Sequence, residues 1–144
     1  MTELHISRQS AETAVRQRDW RTAFEYYAQL AEAGEPTREW LDLMEASALL
    51  DAVAGDLDAQ HVLGSIGTLH YMDGSQAAVE PLRRGLKWIV SALRQNLSPS
   101  GLQMLVVWYG TLRSHGTHDD DVDAFLAEPE PRAVWRRIYG VELP

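Results

Sequence analysis

Between Asp19 and Ala33 the chain reads DWRTAFEYYAQLAEA, and its small and aromatic residues recur at the spacing of one helix face: Ala23, Tyr27 and Leu30/Ala31. Alanine lets a neighbouring backbone approach closely, and the aromatic ring four residues on fills the space beside it. Such a helix must pack against others along its length. No stretch of the chain shows sustained β alternation bounded by hairpin turns, so little or no sheet is expected.

The rest of the chain reads as helices separated by short punctuation. The first is expected from Thr2 or Glu3 to Arg18 and the second from Trp20 to Ala33. Gly34-Glu35-Pro36-Thr37 stops one helix and opens the next, with Thr37 as its N-cap. The third, Arg38 to Ala54, is read with Trp40, Leu43, Met44, Ser47 and Leu50 on a covered face and Glu39, Asp42 and Glu45 on or near the other. Gly55 ends it. Gly64, Gly67 and Gly85 lie inside helical patterns, where glycine costs about 0.5–1 kcal/mol relative to alanine; they are expected to mark close helix contacts. Pro81 either begins a helix or kinks one, while Ser98-Pro99 is a clear start, serine capping and proline in first position. Asp119 to Asp121 and Glu130-Pro131 open the last two helices.

With the residues before it, the opening stretch resembles a tetratricopeptide repeat over roughly residues 7 to 36. Ala11 and Ala14 stand at the contacts of its first helix, Asp19-Trp20 at the turn, and Ala23, Tyr27 and Leu30 at the packing positions of its second. The run Gly55-Asp-Leu-Asp-Ala59-Gln-His-Val-Leu63-Gly64, with Tyr71 and Gly74 after it, resembles the related Sel-type repeat. Leu86, Trp88 and Ala92 resemble that repeat's second helix, and Gly101 to Gly110 could open a further unit. His61 to Tyr71 is longer than that family's usual spacing, and Pro81 interrupts its second helix.

The expected fold is therefore all-α, seven or eight helices stacked as antiparallel hairpins in one domain, with approximate units 2–36, 37–74, 75–114 and 115–144. The resemblance implies a shallow superhelix that recognises a protein on its concave surface. Carried onto this chain, it places Arg8, Glu12, Val15 and Arg16 toward that groove, extended by Glu39, Asp42 and Glu45 if the third helix continues the wall.

Charge narrows the partner. The net charge is −8, and between Glu25 and Asp58 nine acids stand against one base, Arg38. Nucleic acid requires a concentrated basic footprint, which is lacking. A protein with a basic surface is the sign-matched partner, although acids on a helix also serve simply to solvate it. Arg83, Lys87 and Arg94 form one basic stripe that could meet the acidic window of a neighbouring molecule or could face water. The absence of cysteine, of a leader pattern and of any apolar run near the roughly 20 residues of a membrane span leads us to expect a cytoplasmic chain.

Catalytic constellations are thin. There is no Gly-x-Ser-x-Gly elbow, no phosphate-cradling glycine loop with lysine and no dinucleotide fingerprint, and no cofactor is expected. His115, His118 and the acids Asp119, Asp120, Asp121 and Asp123 could share a divalent metal, but the acids equally suit a helix N-terminus. His61 and His70 fall on opposite faces of a helix and offer no joint site. The five tryptophans read as core packing. The functional expectation is a non-enzymatic protein-binding module of adaptor, chaperone or toxin-immunity type, with a homo-oligomeric structural protein as the alternative and a metal-dependent enzyme behind it.

Overall fold

The computed structural model describes residues 8–36, 38–73 and 79–144, and the protein is all-helical: eight helices and no strand among the described residues. They are α1 (Arg8–Arg16), α2 (Trp20–Glu32), α3 (Arg38–Val53), α4 (Leu57–Asp73), α5 (Val79–Gln95), α6 (Pro99–Ser114), α7 (Asp120–Leu126) and α8 (Pro129–Tyr139). The expected starts at Thr2 or Glu3, the Thr37 cap and most of the turn from Ser75 to Glu80 lie outside the described residues. The chain divides into two compact units, residues 1–63 and 64–144, the division falling inside α4.

In the first unit, Asp19 caps α2, its carboxylate accepting the Thr22 N–H at 3.4 Å. Arg18, in the left-handed region at φ 59°, ends the preceding helix. Ala11, Ala14, Ala23 and Tyr27 are all buried, as the small-and-aromatic pattern predicts. Tyr27 stacks on Trp40 of α3 with ring centroids 5.0 Å apart. At the other end of the same pair, the Trp20 indole donates to Asp51 at 2.8 Å, so α2 and α3 run antiparallel. Arg8 meets Glu39 at 3.5 Å, N-terminus beside N-terminus, and Arg21 meets Asp58 at 3.4 Å in the same sense. Direction thus alternates from α1 to the start of α4. Gly55, at φ 102°, makes the turn out of α3 that a side chain would strain.

α3 corrects the sequence reading. Its buried residues are Trp40, Leu41, Met44, Ala48 and Ala52, whereas Leu43 and Leu50, read as covered, face solvent, and Ser47 is half-buried. Leucine and alanine stand on both arcs of this helix, so periodicity alone does not single out the covered one.

In the second unit, Gly64, Gly67 and Gly85 are the contact points between α4 and α5. A Cβ at Gly67 would lie 2.7 Å from the Pro81 carbonyl oxygen and 2.9 Å from the Gly85 Cα, and one at Gly64 would collide with Ile89. Pro81 sits in the first turn of α5, where its missing N–H deprives no carbonyl of a partner. Leu82, Leu86, Ile89 and Leu93 of α5 pack with Leu102, Leu105 and Leu112 of α6 and with Val122 and Phe125 of α7. Ser98 caps α6 by accepting the Gly101 N–H at 3.1 Å, with Pro99 in first position. α8 starts at Pro129 behind Glu128, slightly before the expected Glu130-Pro131, and ends on Gly140 at φ 71°. Of the tryptophans, Trp20, Trp40 and Trp135 are buried, and Trp88 and Trp108 half-buried.

Candidate partner-binding face

Because Trp40, Met44, Ala48 and Ala52 recur every four residues and turn inward, the residues between them are forced to the opposite arc of α3. That arc carries Leu43, Ala46, Leu49, Leu50 and Val53. Leu50 and Val53 are 71% and 72% exposed, Leu43 and Leu49 close to half. A scattered exposed leucine means little, but these share one line along one helix, with Glu39 and Asp42 at its N-terminal end. Leucine and alanine stand on both arcs of α3, so spacing along the sequence did not mark this one.

The residues expected at the groove divide. Arg8 pairs with Glu39 at the N-terminal ends of α1 and α3, and Asp42 is exposed one turn further along α3. Glu12 is half-buried near Tyr27, whose phenol is raised above its ordinary value by burial first and by the Glu12 carboxylate second, with Arg8 opposing. Val15 and Glu45 are half-buried, and Arg16 donates to the Thr13 hydroxyl of its own helix at 3.0 Å. An open groove of about 630 Å³ does lie along this hairpin, but Gln9 and Thr13 of α1, Gln17 of the turn, and Thr22 and Tyr26 of α2 line it. Arg8, Glu12, Val15 and Arg16 are not among its lining residues.

In the second unit, the basic stripe turns inward to its own chain. Arg83 Nε donates to the Asp119 carboxylate at 2.9 Å, Lys87 reaches Asp121 at 3.1 Å, and Arg94 grips Glu128 with two bonds of 3.0 and 2.7 Å. These pairs tie α5 to the start of α7 and to the α7–α8 turn. Asp119 is almost wholly buried and also caps α7, accepting the Asp121 and Val122 N–H groups. The Tyr109 hydroxyl accepts the Asp119 N–H at 2.9 Å and donates to Asp123 at 2.6 Å. That bond first, and the Arg113 guanidinium after it, hold the Asp123 carboxyl below its ordinary range.

The two histidines proposed to share a metal part company. His115 Nε2 is 2.7 Å from the Tyr71 hydroxyl, and its ring meets Tyr71 edge-on. His118 instead gathers with Asp120 and Asp123, their ligand atoms within 4.8 Å of one another. One oxygen of Asp123 already accepts from both Tyr109 and Arg113. Among the described residues no helix is long and apolar enough to cross a membrane.

Compared with known proteins, the chain matches no family model, no curated protein and no solved structure.

Proposed function

We propose that this chain is a protein-interaction module of a bacterial cytoplasm, of adaptor, chaperone or toxin-immunity type, which engages its partner on the outer face of α3 and the neighbouring end of α1. The observation that carries this reading is the line of exposed apolar side chains from Leu43 to Val53, ending in Glu39 and Asp42. Water gains nothing from such a line, and a partner that covers it gains roughly 25 cal/mol for each Å² of apolar surface removed. The tetratricopeptide-like reading of the helices agrees with the alternating directions of α1 to α4, and it supports a binding role over a catalytic one. In this proposal Arg8, Glu39 and Asp42 are the polar surroundings of that face, and Glu12, Val15, Arg16 and Glu45 belong to the adjoining α1 side, which the charge reversal below tests separately.

The test is capture from the source cell's lysate with the purified chain, its Leu50→Asp variant, and a triple charge reversal at Arg8, Glu12 and Arg16. A single stoichiometric protein held by the wild type and released by Leu50→Asp is the expected result. Loss in the triple reversal alone would move the interface to the α1 side. Recovery of only the chain itself, in every case, would put homo-oligomerisation in place of partner binding.

A further inference from the structure

The occupant of the α3 face can be specified further, on the reading that this face binds a protein at all. The geometry points to an amphipathic helix with basic flanks, lying along α3.

Shape is the first ground. Leu43 to Val53 covers eleven residues of one helix, about 15 Å along its axis, on an arc about 120° wide. A partner helix with apolar residues three and four apart presents a matching line over the same length. An extended segment would need an unpaired backbone edge to join, and the described residues contain no strand. A face confined to one helix is small for a globular interface, which suits one helix rather than a domain.

Charge is the second. Acids without an ion pair among the described residues stand at both ends of the line, Asp42 at one and Asp56, which also accepts the Ala59 N–H, just past the other. Glu39 and Asp58 are already met by Arg8 and Arg21. The only base on α3 is Arg38, so a second copy laid α3 against α3 would bring acids onto acids. Nor does the basic stripe of a second copy offer itself, because Arg83, Lys87 and Arg94 are held by Asp119, Asp121 and Glu128. The matching cations must come from another molecule.

A labelled synthetic peptide of about 14 residues tests this, long enough to span the line as a helix. It carries leucine at three- and four-residue spacing with lysine on both flanks. One control replaces each lysine with glutamate; a second keeps the composition and scatters the leucines around the helix. Binding to the full chain is read by fluorescence anisotropy, and circular dichroism melts verify that each protein variant is folded. The basic amphipathic peptide should bind at least about tenfold more tightly than either control, and lose about tenfold or more on the Leu50→Ser/Val53→Ser double variant. Asp42→Lys should weaken it several-fold, and added salt should weaken it further. Equal binding of the scattered peptide, or of the glutamate peptide, would overturn the inference, as would indifference to the double variant. If the peptide fails while Leu50→Asp still releases a captured protein, the occupant is something other than a basic helix and the α3 interface stands. If both fail, the interface falls with it. Sedimentation showing a dimer that Leu50→Ser dissolves would make the occupant a second copy and overturn the basic-helix assignment.

Discussion

Asp119 gathers polar contacts from three helices of the second unit. Its carboxylate caps α7 and receives Arg83, and its backbone N–H feeds Tyr109, which in turn holds Asp123. Replacing it with alanine removes a cap and a charge-assisted hydrogen bond together, an expected loss of about 3 kcal/mol in denaturant unfolding. Asparagine keeps the cap but not the charge, so about half of that loss should return. Equal damage from both variants would show that the cap contributes nothing. Tyr109→Phe tests the next link. Without the phenol, Asp123 should titrate closer to its ordinary value of 3.8 in a carboxyl-detected NMR series; an unmoved titration would assign the lowering to Arg113 instead.

At the scale of the helix, two glycines separate close packing from intrinsic propensity. Gly67→Ala drives a methyl group into the Pro81 carbonyl and the α5 backbone at Gly85, neither of which can rotate away. It should destabilise by about 1–3 kcal/mol despite the better helix former. Gly110, in α6, has open space where its Cβ would be, so Gly110→Ala should stabilise by about 0.5–1 kcal/mol. Thermal melts of the two variants moving in the same direction would contradict the α4–α5 contact. The two arcs of α3 make a similar pair. Leu41→Ala, inside, should cost about 2–5 kcal/mol, while Leu50→Ser, outside, should stay within about 0.5 kcal/mol of the parent. A large loss at Leu50 would mean that the outer arc is covered within the chain.

For the whole molecule, titration gives the two compact units different acid sensitivities. Burial holds the His61 imidazole of the first unit below its ordinary 6.5, so folding favours its neutral form. Its contribution is complete above 6.5 and is lost as pH falls through that value toward the folded one. Asp123 and Glu128 of the second unit are lowered by Tyr109 and Arg94, so theirs is complete above the ordinary carboxylate range and is lost only as pH falls through their folded values. Amide resonances of residues 8–63 are therefore expected to weaken at a higher pH than those of 79–144. Simultaneous loss in both would mean that the units unfold as one.

Helix placement was legible residue by residue. Ser98-Pro99, the Asp119 cap, the turn at Gly55 and the Ala23–Tyr27 contact face are local signals, set by backbone conformation and spacing that tertiary context did not override. Gly64, Gly67 and Gly85 announced a close crossing because nothing else justifies glycine there. Tertiary structure alone decided which arc of α3 is covered, because a helix with leucine and alanine on both arcs carries no preference of its own. It alone decided that Arg83, Lys87 and Arg94 bind Asp119, Asp121 and Glu128, and that His115 turns to Tyr71 and away from His118. Those pairings join residues more than thirty positions apart, and spacing along a chain says nothing about which distant partner a long or titratable side chain will reach.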